Sequence, residues 1–161
     1  MLTLKPNYIT NSLKLIIDTK FGEELLRKPI TNSLIESYED SSSVTPLIFI
    51  LSPGADPLNE LQFLANQLSM KESIDFISLG SGQGPKATAA IENACELGKW
   101  VVLQNCHLGV DYMGKLEMIY ENLSLKNSNN DLNEDFRLIL TLLPCESFPH
   151  SILQNSVKIT M

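Results

Sequence analysis

Two textures of apolar patterning follow one another along this chain. From Tyr8 to Leu26, Ile9, Leu13, Ile16, Ile17, Phe21 and Leu25 recur at close to helical spacing, which predicts an amphipathic helix. Lys28-Pro29 is expected to end it, because proline disfavours helical geometry in the residue before it. The stretch from Tyr38 to Thr45 (YEDSSSVT) is polar and serine-rich and reads as a linker. Beyond it the texture changes to short continuous apolar runs separated by turn residues. The expected organisation is therefore an N-terminal helix and connecting segment over 1–37, followed by a module over 38–161 that stops within or just after its last strand.

Leu47-Ile48-Phe49-Ile50-Leu51 is apolar throughout and rich in β-branched and aromatic residues. Such runs belong to strands covered on both faces, as in a parallel sheet flanked by helices. Asp56-Pro57 then predicts a helix start, with Asp56 as N-cap and Pro57 at the first helical position. Leu58, Leu61, Ala65 and Leu68 are its expected buried stripe. Ile74 to Leu79 reads as a second strand, closed by Gly80-Ser81-Gly82-Gln83-Gly84. A helix begins at Pro85, buries Ala87, Ile91 and Ala94, and ends at Gly98 as C-cap. Trp100 to Leu103 is a third strand, and Tyr112, Leu116, Ile119 and Leu123 mark a third helix. Lys126 to Glu134 (KNSNNDLNE) reads as a flexible, asparagine-rich surface insertion. Phe136 to Leu142 and Val157 to Met161 complete a set of five strands.

Strand alternates with helix at least three times over about a hundred residues, the rhythm of a doubly wound α/β fold with a mostly parallel five-stranded sheet. Ligands in such sheets lie beyond the carboxyl ends of the strands. That places the informative loops at Ser52–Asp56, Gly80–Gly84, Gln104–Leu108 and Leu143–Pro149.

Composition narrows the function classes. With 43% hydrophobic and 19% charged residues in 161, the chain can bury a substantial core. A net charge of −7 argues against nucleic acid and acidic membrane surfaces as partners, since both need a basic face. Cys95, Cys106 and Cys145 lack CxxC spacing and fit a reducing compartment. With only His107 and His150 as imidazoles, no metal site is expected. No apolar run approaches the roughly 18 to 20 residues of a membrane span, and no secretory pattern is present, so a cytoplasmic location is expected.

The loop after the first strand is where a phosphate-binding P-loop would lie. That chemistry needs G-x-x-x-x-G-K-[ST], with backbone N–H groups around the phosphates, a lysine on the terminal ones and a hydroxyl on magnesium. Here the stretch is Ser52-Pro53-Gly54-Ala55-Asp56-Pro57-Leu58-Asn59. Two prolines remove donors, no lysine follows, and Asp56 would repel a triphosphate. A tight turn with a capped helix is the better reading. Gly80–Gly84, with Lys86 nearby, could meet an anion at a helix N-terminus, although a structural turn explains it as well. At the end of the third strand, where P-loop ATPases carry Asp-Glu for magnesium and water, stand Gln104 and Asn105. These amides can neither hold the metal nor take a proton efficiently. Cys106-His107 invites a nucleophile reading, but no orienting acid is evident. A buried thiol and a locally bonded imidazole are expected instead. No catalytic residue and no cofactor-binding residue are expected in this chain.

The segments SYEDSSSVTPLIFILSPGADP (Ser37–Pro57), FISLGSGQGPKA (Phe76–Ala87), WVVLQNCHL (Trp100–Leu108), FRLILT (Phe136–Thr141) and FPHSILQNSVKIT (Phe148–Thr160) closely resemble the sixth AAA+ module of dynein heavy chains. They occur in order and at the right intervals. Gln104 to Leu108, with the Gly80–Gly84 loop, looks more like axonemal than cytoplasmic members. The resemblance implies an AAA+ large-subdomain fold within an ATP-driven microtubule motor. It implies a non-hydrolysing structural element of the ring, with ATP and magnesium bound in other modules of the parent chain. The implied partners are neighbouring AAA+ modules, dynein intermediate and light chains, and microtubules. The implied location is the cytoskeleton, in the axoneme of a cilium or flagellum. The asparagine-rich stretch departs from the family as an insertion. Two alternatives stay open. One is a module that binds nucleotide through Gly54, Gly82 and backbone N–H groups without hydrolysing it. The other is a stand-alone α/β enzyme using Cys106 and His107.

Overall fold

Leu47–Ile50 forms an interior strand of a five-stranded sheet, with Leu47, Ile48 and Phe49 buried and Ile50 partly buried. The structure, a computed structural model, describes residues 30–80 and 82–161, with side chains from Leu34 onwards. The helix expected at Tyr8–Leu26 and its end at Lys28-Pro29 lie outside the described residues. The elements are α1 (Ile30–Asp40), β1 (Leu47–Ile50), α2 (Leu58–Gln67), β2 (Ile74–Ser78), α3 (Gly84–Leu97) and β3 (Trp100–Gln104). A 3₁₀ turn (Cys106–Leu108) leads into α4 (Val110–Ser128), and β4 (Arg137–Leu142), α5 (His150–Gln154) and β5 (Val157–Thr160) follow.

The strands lie in the order β2-β3-β4-β1-β5, and all four pairings are parallel. The expected doubly wound α/β fold is therefore present, with an entirely parallel sheet consistent with the AAA+ large subdomain. Leu47, Phe49, Trp100, Val102 and Ile139 face one side, where Leu34 of α1 and Leu61, Leu64 and Ala65 of α2 cover them. Ile48, Val101, Leu103, Leu138 and Leu140 face the other, under α3, α4 and α5. Burying each such side chain contributes about 1.5–3 kcal/mol, so a sheet covered twice needs strands that are apolar at successive positions.

The C-cap signal acts as expected. Gly98 ends α3 in the left-handed region, at φ +69°, and its N–H donates to Ala94 O. The start of α2 is displaced by one residue from the expected one: the N-cap is Pro57 rather than Asp56, Leu58 is the first helical residue, and Asp56 Oδ1 accepts from the Leu58 N–H at 3.0 Å from just outside the helix.

Three further expectations change. The segment from Tyr38 to Thr45 is not a free linker. Tyr38 to Asp40 complete α1, Ser41 and Ser43 are buried, and the Ser41 N–H and hydroxyl both donate to Tyr38 O. Serine-rich composition signalled solvent, but short hydroxyls can satisfy a helix end locally. The stripe of α2 is Leu61, Leu64 and Ala65. Leu68 is 38% exposed because it stands just past the last helical residue. The asparagine-rich stretch is tied down: α4 continues through Ser128, Leu132 is buried, and the Asn133 N–H donates to Cys95 O at 3.1 Å. One leucine among eight polar residues is enough to anchor a short loop on a core.

Candidate functional site

In a parallel sheet the carboxyl ends of all strands open on one edge, so the loops after β1, β2, β3 and β4 share a rim. After β1, the Leu51 N–H donates to Leu142 O at 2.9 Å and the Ser52 N–H to Met161 O at 2.7 Å. The Ala55 N–H returns to Ser52 O at 3.0 Å across a turn in which Gly54 adopts φ +89°. The Leu58 N–H is held by Asp56, and Pro53 and Pro57 have no N–H to give. Across Ser52–Asn59 this leaves at most Gly54, Asp56 and Asn59 to offer a backbone donor to a phosphate. The Asp56 carboxylate already occupies the helix N-terminus, where a bound anion would gain most.

After β3 the chain turns abruptly. Asn105 adopts φ 56° and ψ 44°, a left-handed conformation that asparagine tolerates better than most residues. Its N–H donates to Thr141 Oγ1 at 3.2 Å, and its Nδ2 donates to Ser78 Oγ at 3.2 Å. Ser78 closes β2, which lies on the opposite side of β3 from β4 and β1. The amide is thus drawn away from the Ser52–Asn59 loop and spent on joining the ends of β2, β3 and β4. Gln104 O accepts from the Leu79 N–H at 2.8 Å, which continues the sheet beyond its last formal pair.

Cys106 and His107 are brought into the same turn but not into partnership. The Cys106 thiol is 1% exposed and donates to Leu103 O at 3.4 Å. Burial pushes its pKa up to about 12. A thiol so reluctant to ionise is a poor nucleophile near neutrality. His107 Nδ1 accepts from the Leu143 N–H at 3.2 Å, which ties the turn after β3 to the loop after β4.

The loop after β2 forms one wall of an open cleft of about 370 Å³. Gly80, Gly82, Gly84, Leu108, Asp111 and Tyr112 are among its lining residues. Lys86, the cation that made an anion conceivable here, is not on that lining, whereas Asp111 is. Among the described residues, no group of three or more His, Cys, Asp and Glu side chains could hold a metal ion. Sequence reasoning missed Ser78, Thr141 and Leu143 as the partners that define this rim. Thr141, a polar residue within the apolar run Leu138–Leu142, carried the only visible hint.

Comparison with known proteins places this geometry in context. The family model described as the dynein heavy chain region D6 P-loop domain matches residues 42–160. The chain is 40% identical over 158 residues to dynein axonemal heavy chain 1 of Homo sapiens, which covers 98% of this chain and 4% of that one. It is 46% identical over 158 residues to dynein axonemal heavy chain 12 of Rattus norvegicus, covering 98% of this chain and 5% of the other. Dynein axonemal heavy chain 3 of Mus musculus is likewise 46% identical over 158 residues, with 98% and 4% covered. The chain therefore spans about a twentieth of the length of these curated relatives.

Proposed function

This chain belongs to the dynein heavy chain family, and from that premise we propose that it serves as a structural, non-hydrolysing P-loop-type module of an axonemal dynein motor. In this reading the parent chain hydrolyses ATP with magnesium in other modules. The present module transmits position and force to its AAA+ neighbours. Microtubules, intermediate chains and light chains are reached through the parent chain, in the axoneme of a cilium or flagellum. The axonemal relatives support that setting. No helix among the described residues is long and apolar enough to cross a membrane.

The observation that carries the reading is the double substitution at the rim. The Asp56 carboxylate holds the Leu58 N–H at the start of α2, where phosphates would sit, and Asn105 is bonded to Ser78 and Thr141 where a water-activating carboxylate would be needed. Each loss removes a different requirement: phosphate affinity in the first case, proton abstraction in the second. The Cys106 thiol, buried and raised to about 12, offers no competing chemistry.

Calorimetric titration of the chain with Mg-ATP and Mg-ADP tests this. The expected result is no saturable heat at nucleotide concentrations up to about a millimolar, a Kd weaker than roughly −4 kcal/mol of binding free energy. Saturable micromolar binding without turnover would replace the inert module by a nucleotide-sensing one, and measurable phosphate release would overturn the proposal outright.

A further inference from the structure

At the amino-terminal ends of β3 and β4, Trp100 and Arg137 stand directly opposite each other in the parallel register. Both lie on the sheet face that α1 covers. Tyr38 of α1 closes over them: its ring centroid is 4.9 Å from that of Trp100, tilted by 40°, and the Arg137 Cζ lies 5.1 Å from the Tyr38 centroid. The guanidinium is steadied by its Nη1, which donates to Glu134 O at 2.6 Å and to Phe136 O at 2.8 Å. Leu34, one helical surface repeat earlier, is 3% exposed. Aromatic and cation–π contacts of this kind favour a docked helix.

The same contact leaves something unpaired. Three buried side-chain polar atoms lack a hydrogen-bond partner among the described residues, and two of them are Trp100 Nε1 and Arg137 Nε. Trp100 is wholly buried. An N–H withdrawn from water without an acceptor costs free energy comparable with the gain from a ring contact. Docking α1 therefore gains Tyr38's contacts and loses hydration at the donors beneath, while lifting it reverses both.

We propose that α1 is a strap that docks on and lifts from the sheet as a unit of its own, held by Tyr38 and loosened by the unpaired donors of Trp100 and Arg137. Eleven residues are too few for a helix to persist alone in water, so the lifted strap frays and its amides exchange. Ser41–Pro46 connects α1 to β1, so each lift acts on the entry to the strand between β4 and β5. The inference does not depend on whether the rim binds nucleotide.

Native-state hydrogen exchange on the 161-residue chain decides it, comparing the amides of Ile35–Ser41 with those of β1, β3 and β4. The strap amides should exchange through a shared opening, about a hundredfold or more faster than the sheet amides. Tyr38→Ala should speed strap exchange about tenfold and leave the sheet unchanged. Arg137→Lys keeps a cation near the ring and deletes one unpaired donor, as Trp100→Phe keeps a ring and deletes the other. Each should slow strap exchange by about threefold to tenfold relative to the sheet. If Trp100→Phe disturbs the whole core, Arg137→Lys carries the test alone. The proposal is overturned if strap amides exchange only with global unfolding. It is equally overturned if Tyr38→Ala leaves them unaffected, or if Arg137→Lys speeds them or leaves them unchanged.

Discussion

Gly98 shows how one position can answer to two constraints at once. Its φ of +69° lies in the left-handed region, and a Cβ built there would meet Asn133 Oδ1 at 2.6 Å. Left-handed geometry costs a non-glycine residue roughly 1–2 kcal/mol. Displacing Asn133 adds to that, because Asn133 Oδ1 also accepts from the Asp135 N–H. Gly98→Ala should therefore lower the urea midpoint by an amount equivalent to about 2 kcal/mol or more, with an unchanged slope. In a double-mutant cycle, Asn133→Ala should recover part of the loss by removing the atoms that the new methyl meets. Full additivity would show that backbone strain alone sets the cost. Asn105 makes a similar point without glycine: a left-handed asparagine is affordable because both its N–H and its amide find partners.

Among the elements, position in the sheet decides what a substitution costs. β1 pairs with β4 on one side and β5 on the other, and Phe49 in it is 1% exposed. β5 lies at an edge, and its Ile159 is only partly buried. Phe49→Ala is expected to destabilise by about 3–5 kcal/mol, since a rigid two-sided core cannot collapse into the void. Ile159→Ala should cost about 1–2 kcal/mol at most, because edge neighbours and solvent can adjust. Chemical denaturation of the two variants checks the ranking, and equal losses would mean that β5 is as integral to the core as β1. The expected boundaries of the strands were close throughout, because apolar runs and the polar or turn residues that interrupt them are local signals. The helix Ile30–Asp40 was not legible, since among its described side chains Leu34 alone is buried and a serine run follows it.

For the whole molecule, the buried acids set a limit on alkaline stability. Burial raises Cys95 to about 11 and Cys106 to about 12, from a usual 9. Burial also raises Tyr112 and Tyr120 above their ordinary values. Below pH 9 both the folded and the unfolded chains keep these thiol protons, and the contribution of the neutral, buried groups is fully present. Between pH 9 and about 12 the unfolded chain releases protons that the folded chain retains, so stability must fall with rising pH. The urea midpoint should decline above pH 9, less steeply in Cys106→Ala. A midpoint that rises over that range would contradict the burial of these thiols. The same physics predicts that thiol reagents label Cys106 only once the chain unfolds.

Sequence alone determined the class of this protein and showed which residue types stand in its loops. Continuous apolar strands, a glycine at a helix end, and the want of a lysine and an acidic pair are all properties of residues beside one another, readable without knowing the fold. The family resemblance rested on the same local words, and the match over residues 42–160 bears it out. What those words could not supply was partnership. Asn105 meets Ser78 and Thr141 from 27 and 36 residues away, and Tyr38 meets Trp100 and Arg137 across the sheet. Strand order decides such meetings, and strand order follows from how two apolar faces are covered together. Periodicity along the chain tells which face a residue presents; only the closed sheet tells what stands opposite it.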